Sequence, residues 1–397
     1  HLVLDEMAGL ASLPEDCRQC QIARTTWLRV LQRGNFHIYP YAFSNYNSTR
    51  DSVPSILNAA VLNRCNEYFP GGGSTVVLTR NTYFDRFRRQ QYAIRIYESD
   101  YLSYSAPQYR SARTETYTAD GQLAILHRMG LGWVDRLKVI FSRYVYRDAV
   151  WRLLWRSYTS GQNPLPSRLG PFAVADLWPV RLLNDIRGAN ENTLFYVHLL
   201  APHFPYIQTA NGSVKPLRQW GYAQSFHHNE VAAYKKTYEG YGEQVQAIAV
   251  QVEAFLEAIK AAGLYDSLTL IIHGDHGSRI RLLAPEDADQ AGDIDGAENG
   301  CLNLSLYRYR SKPAGRDLLD MFGTLFAIKT PGTTHPLIVA KKASVMQLLW
   351  EALFPGQLLP SESARNALYL FDPDRHPRSI SAEEMWDWQT KSKQAGK

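Results

Sequence analysis

Between Val245 and His273 the periodicity of the chain changes abruptly. Val245, Ile248, Val252, Phe255 and Ile259 recur at steps of three and four, the spacing of one helix face. Gly263 then supplies a helix stop, and Leu268–His273 is apolar with hardly any alternation. A strand with no polar face has to be covered on both sides, as strands of a doubly wound sheet are. Similar short apolar runs place further strands at Leu2–Leu4, Thr75–Leu78, Ala93–Tyr97, Thr193–Leu199 and Leu325–Ile328. The expected fold is α/β: a central, mostly parallel sheet sandwiched by helices over residues 1–330, then a small C-terminal subdomain and polar tail over 331–397. The 397 residues, 45% of them hydrophobic, suffice for a core of that size.

In such sheets ligands bind beyond the carboxyl ends of the strands. Three of the expected strand ends carry polar, metal-competent residues. The first strand ends at Asp5-Glu6. A second contains His198 and runs on to Pro202-His203-Phe204-Pro205. A third ends at His273-Gly274-Asp275-His276-Gly277. The glycines let the backbone bend and a ligand approach. Carboxylate with imidazole is a ligand set for Zn²⁺, with Mn²⁺ as the alternative. An isolated Asp-His pair would be read as a turn or a salt bridge. The acidic end of the first strand makes Asp5, Asp275 and His276 a metal site, with Glu6 and Thr49 as further ligands.

Thr49 opens a segment, Asn47 to Pro54, that leads into an apolar run from Val53 to Leu62. A hydroxyl is a poor nucleophile at neutral pH, and a bound cation stabilises its alkoxide. A helix starting there would also aim its N-terminus at an anion. The competing reading is that Thr49 or Ser48 only caps that helix. His203 is placed to touch a transferring phosphoryl group or hold a second metal. His198 and Arg279 are candidates for substrate binding, or else a core histidine and an ordinary ion pair.

At this point the chain resembles the alkaline phosphatase/sulfatase superfamily, and within it the bacterial envelope phosphotransferases that transfer phosphoethanolamine to lipid A or build lipoteichoic acid. The likeness rests on Val3-Leu4-Asp5-Glu6, on Thr49, Ser52 and Pro54 as a Thr-x-x-Ser-x-Pro segment, on His198, His203 and Pro205, and on Gly274 to Gly277. It implies Thr49 as a nucleophile that becomes phosphothreonine, a phospholipid donor and an envelope glycan or lipid acceptor. It also implies a periplasmic or extracytoplasmic location. Two departures stand out. Ser52-Val-Pro54-Ser55-Ile56 lacks the closing Arg of the sulfatase signature, and no histidine near Leu325–Lys329 matches the later His of the phosphoethanolamine transferases.

The net charge of +5 is mild, and no zinc-finger or RNP-like segment accompanies it, so no nucleic-acid partner is expected. A basic surface suits anionic lipids or glycans. Residues 127–158 interleave arginines with Trp133, Phe141, Tyr144, Trp151 and Trp155, as in a helix lying on a membrane or packed amphipathically on its own domain. No apolar run spans a bilayer. A strand beginning at Leu2 suggests an upstream anchor or signal. Cys17, Cys20, Cys65 and Cys301 read as free thiols, or as a disulfide between Cys65 and one of the first two.

Overall fold

A computed structural model of the chain describes residues 1–69, 76–98, 102–104, 114–118, 133–134, 170–190, 192–204, 206–216, 219, 231–280, 315–371 and 376–387. Its central sheet has eight strands: β1 (Leu2–Leu4), β2 (His37–Ile38), β3 (Ala93–Glu98), β4 (Thr114–Thr118), β5 (Thr193–Leu199), β6 (Leu270–Gly274), β7 (Phe326–Lys329) and β8 (Leu337–Ile338). Their order is β8-β2-β7-β6-β1-β5-β3-β4. All neighbouring pairs are parallel except those made by β7, which runs against β6 and β2. This is the expected mostly parallel α/β sheet.

Strand alternation divides the core in two. Leu2, Leu4, Val197, Leu199 and Ile272 face helices α1 (Arg18–Arg33), α4 (Gly170–Arg187) and α5 (Val231–Ala261). The apolar face of α5 includes Val245, Ile248, Val252, Phe255 and Ile259, and the Trp27 indole N–H of α1 donates to Val245 O at 3.0 Å. On the other side, Val3, Tyr196, Ile271 and Phe326 meet α2 (Thr49–Asn58), α3 (Thr82–Arg89) and α7 (Val345–Leu353). Both faces of the central strands β1, β5, β6 and β7 are therefore covered, which is why these strands tolerate continuous apolar sequence.

Elements beyond residue 330 join the main sheet and its core. β8 pairs with β2 in the main sheet, and α7 shares the core under α2, where the Trp350 indole donates to Ile56 O at 2.6 Å. A hairpin of Ala367–Phe371 and Pro377–Ser381 packs on α6 (Gly315–Phe322). The expected cysteine arrangement is corrected. Cys17 bonds to Cys20 across the first turn of α1, with Cα atoms 5.2 Å apart, so neither is left for Cys65, which is itself disulfide-bonded. Residues 127–158, the expected amphipathic stretch, lie outside the described residues apart from Trp133 and Val134, both exposed.

Candidate functional site

Register sets the rim above β1, β5 and β6. Leu4 lies opposite Leu199 on one side and Gly274 on the other, so the three strands end level. Backbone pairing runs one residue further: Asp5 N–H donates to Leu199 O at 3.0 Å and Asp275 N–H to Leu4 O at 3.3 Å. The carboxylates of Asp5 and Asp275 are thereby held beside one another, each at most 1% exposed.

The turn after β6 is tight. A Cβ on Gly274 would sit 2.4 Å from Met7 O, and one on Gly277 would sit 2.0 Å from Asp320 O. Asp320 on α6 accepts from Tyr238 Oη of α5 at 2.7 Å and from Ser278 Oγ, so the turn is fastened to two helices. Gly277→Ala drives a methyl into backbone that cannot swing away. It is expected to cost at least about 2 kcal/mol, read as a lower melting temperature, and an unchanged value would show that the turn relaxes freely.

Within the turn, Asp275 Oδ1 accepts the N–H groups of Glu6 at 3.0 Å and His276 at 2.8 Å, whereas Oδ2 has no hydrogen-bond partner. His276 Nδ1 lies 2.9 Å from Gly277 O, which makes it the protonated nitrogen and leaves Nε2 bare. That Nε2 lies 3.4 Å from Asp275 Oδ2 and 3.8 Å from Asp5 Oδ1.

Thr49 is the first residue of α2, and Ser48, extended at φ −135°, is its N-cap without a side-chain cap bond. The Thr49 hydroxyl is not spent on capping. Its Oγ1 is 3.1 Å from Asp5 Oδ1 and 3.1 Å from His276 Nε2, inside the acidic cluster. The helix start and the strand ends meet there because α2 covers the sheet face that carries Val3 and His198.

His198, on β5 opposite Val3, is fully buried, and its Nε2 has no hydrogen-bond partner. One ligand atom each from Asp5, His198 and Asp275 lies within 4.8 Å of the others. Sequence reasoning had placed His198 with the substrate contacts and Glu6 with the metal ligands; the structure groups His198 with the acids and pairs the buried Glu6 with Arg279. Glu6 has φ 61°, and its carboxylate pairs with Arg279 and lies 3.6 Å from His203 Nε2. His203 is fixed from behind, since Gln244 Nε2 of α5 donates to Pro202 O at 3.0 Å and His203 O at 2.9 Å. Pro205 lies outside the described residues.

The electrostatics of the cluster are those of a cation site. Burial, and then the Glu6 carboxylate, push the Asp5 carboxyl up to about 7. Burial and then Asp5 raise Asp275 well above the carboxylate range. Burial holds His198 down to about 3, and burial and then Arg279 hold His276 well below the usual imidazole range. Crowded acids, bare imidazole nitrogens and unpartnered buried Oδ2 and Nε2 atoms are costly by themselves. A divalent cation satisfies all of them, and this donor set fits one.

Sequence reasoning missed the supports of the rim. Tyr241 Oη of α5 donates to Glu6 O at 2.7 Å and accepts the Ala8 N–H at 2.8 Å, clamping the turn after β1. Tyr104 and Tyr196, beside His198, read as core aromatics. Strand β7 brings no histidine to the site. Because β7 is antiparallel it carries Lys329 to the opposite rim, where the ammonium donates to Tyr265 O at 2.5 Å, and His335 lies exposed beyond it.

The chain is similar, over 96% of its length and 91% of the other's, to the C-terminal periplasmic domain of Escherichia coli EptC in complex with zinc, at 14% identity and a TM-score of 0.52. The chain has the alkaline phosphatase/sulfatase fold. A phosphonate monoester hydrolase from Silicibacter pomeroyi shares that fold at 15% identity and a TM-score of 0.52, covering 90% of this chain and 73% of that one. So does a Bacteroides thetaiotaomicron protein of glycosaminoglycan metabolism, at 12% identity and a TM-score of 0.51, covering 96% and 82%. No family profile and no curated protein sequence matches the chain. Among the described residues of this alkaline phosphatase/sulfatase fold, no helix is long and apolar enough to cross a membrane.

Proposed function

We propose that the chain is a metal-dependent phosphoester enzyme that moves a phospho-alcohol group, phosphoethanolamine or phosphoglycerol, from a phospholipid to a hydroxyl of an envelope glycan or lipid. The observation that carries this reading is the Thr49 hydroxyl at a helix start, 3.1 Å from both a buried carboxylate and a bare imidazole nitrogen. Asp5, Asp275, His276 and Thr49 would hold the cation, Zn²⁺ in the first instance. When bound it neutralises the Thr49 alkoxide and the phosphoryl oxygens.

The chain's own groups supply the rest. Thr49 gives up its proton along its contact to Asp5, and Oγ1 attacks phosphorus. A phosphorus–Oγ1 bond forms as the bond to the diacylglycerol oxygen breaks, and His203 hands that oxygen a proton. The N-terminus of α2 faces the charged oxygens, and Arg279, oriented by Glu6, stands at their side. In the second half the acceptor hydroxyl attacks the phosphothreonine, His203 takes its proton and Thr49 is restored. With water as acceptor the same steps give a hydrolase. Incubation with head-group-labelled phospholipid, with and without a glycan acceptor, tests the reading: transfer of label to the glycan supports it, and release of soluble label alone supports hydrolysis. An extracytoplasmic location fits the Cys17–Cys20 disulfide.

A pH dependence follows for the metal-free protein. An unfolded carboxyl titrates near 4, but Asp5 does so at about 7 in the fold. Between those values the native state holds a proton that the unfolded state has lost, so stability falls as pH rises. The buried histidines act oppositely below about 6.5 and are neutral in both states above it. Asp51, raised to about 7, and the buried N-terminal amine, held down to about 5, also change charge between about pH 6.5 and 8, but within the acidic cluster the groups that do so are the carboxyls of Asp5 and Asp275. Zn²⁺, which binds them ionised, should raise the melting temperature more at pH 8 than at 6.5, by calorimetry. An equal or smaller rise at pH 8 would remove these carboxyls from the metal site.

A further inference from the structure

Glu6 and Arg279 lie on the segments that leave β1 and β6, and both have left-handed backbone, at φ 61° and 56°. That conformation disfavours residues other than glycine, and where it occurs without glycine it collects at functional sites. Each residue is anchored from a helix. Tyr241 of α5 donates to Glu6 O at 2.7 Å, and the Arg279 N–H donates to Asp320 O of α6 at 3.2 Å. The two side chains meet across the rim. Arg279 Nε donates to Glu6 Oε1 at 3.2 Å, and Nη2 donates to the same oxygen, with the arginine side chain 11% exposed and the glutamate 1%. A buried ion pair is a poor source of stability. Strained backbone and desolvated charge together indicate that the pair is kept for where it puts its charges.

Both charges are felt at the reaction centre. After burial, Glu6 is what most raises the Asp5 carboxyl, and after burial Arg279 is what most lowers His276. Glu6 Oε1 is also 3.6 Å from His203 Nε2, whereas Oε2 is buried with no hydrogen-bond partner, so no donor disperses its charge. Arg279 Nη1 makes no hydrogen bond among the described residues and keeps its donors for a phosphoryl oxygen. We propose that Glu6 is a specificity-determining residue: its carboxylate, locked to Arg279, offsets the guanidinium charge and so selects a singly charged phosphodiester over a doubly charged phosphomonoester. This selectivity rests on the phosphoester reading above and narrows its substrate class. A bound cation beside an unopposed arginine would attract a dianion more than a monoanion. With Glu6 in place the dianion meets a fixed negative charge that repels it twice as strongly as it repels the monoanion. Discrimination then comes from a built-in repulsion rather than from an added contact. Unit charges several ångströms apart in a partly buried site interact strongly enough to shift such a preference about 10-fold.

Two variants separate this role from a structural one. Glu6→Gln keeps an oxygen for Arg279 Nε and Nη2 and removes only the charge. Arg279→Gln leaves the carboxylate unopposed. At about pH 8 a phosphomonoester has lost its second proton, while a diester carries a single charge. The Zn²⁺-loaded parent and both variants are assayed there with bis(p-nitrophenyl) phosphate and p-nitrophenyl phosphate, and kcat/KM is compared as the diester-to-monoester ratio. The ratio should fall about 10-fold in Glu6→Gln and rise about 10-fold in Arg279→Gln. Calorimetric binding of dimethyl phosphate and methyl phosphate should show the same opposite shifts without turnover. A purely structural role would weaken both esters together and leave the ratio alone, so either variant decides by itself if the other fails to fold. A ratio within about twofold of the parent's in a folded variant, or one that moves the same way in both, overturns the role of Glu6 and leaves the phosphoester reading in place. If the parent neither binds nor turns over these esters, selectivity and reading fall together.

Discussion

Thr49→Ala is expected to lower phosphodiester turnover at least about 1000-fold while leaving fold and metal content close to the parent's. The reason is that the hydroxyl has one task. Ser48 holds the N-cap position, so α2 does not lose a cap, and the side chain is 6% exposed, so the methyl of alanine stays packed. What disappears is the oxygen 3.1 Å from Asp5 Oδ1 and His276 Nε2, with a stability cost of about 1 kcal/mol for the one hydrogen bond its single hydrogen makes, to Asp5. Asp5, Asp275 and His276 remain to hold Zn²⁺. Thr49→Ser is the companion variant. It restores the nucleophilic oxygen without the γ-methyl and should recover a measurable fraction of turnover. A serine variant as inert as alanine would mean that orientation by the methyl matters more than the oxygen. Turnover of the alanine variant above about a tenth of the parent's would remove Thr49 from the chemistry and with it the phosphothreonine step.

The parts of this site that could be read from sequence are those in which one local pattern does the work. An apolar strand that stops at Gly-Asp-His-Gly announces a rim, and Asp5 at the end of Leu2–Leu4 announces another. Register then joins them, since Leu4 is level with both Leu199 and Gly274. Glu6 shows where that reasoning stops. Beside Asp5 in sequence it looks like a second ligand, but its left-handed backbone at φ 61° sends the carboxylate to Arg279. Nothing in the composition of Asp5-Glu6 encodes that turn; it is held by Tyr241, 235 residues further on. His198 was legible as a strand histidine and ambiguous in role, because the groups it meets, such as Tyr104 94 residues away, are distant in sequence. The segment after residue 330 could not be placed from sequence for a similar reason. Its short elements carry no sign that Leu337–Ile338 will pair with His37–Ile38. Cys17 and Cys20, three apart, fit a metal half-site, free thiols or a bond with each other, and only the first turn of α1 decides among them.

Asp275 is where metal, stability and activity should separate most widely, and the choice of substitution matters. Asp275 Oδ1 accepts two backbone N–H groups, from Glu6 and His276, and Oδ2 is the unpartnered atom facing His276 Nε2. Asp275→Asn keeps an oxygen for both N–H groups and replaces Oδ2 by an amide that cannot bind a cation. Asp275→Ala removes both oxygens and strands two buried donors, which adds about 1–3 kcal/mol for each. Without metal at pH 8, the asparagine variant should be at least as stable as the parent. The parent must either ionise a carboxyl that burial and Asp5 disfavour or keep its proton, and asparagine avoids that choice. With Zn²⁺ the order reverses. A cation at 100 times its dissociation constant stabilises the parent by about 2.7 kcal/mol, and the variant should gain almost none of it. Turnover should fall to below about 1% of the parent's, because the alkoxide loses its counter-charge. Thermal melts of both proteins with Zn²⁺ and with a chelator give all four stabilities. A metal-induced rise in the asparagine variant equal to the parent's would take Asp275 out of the ligand set, whatever the activity showed.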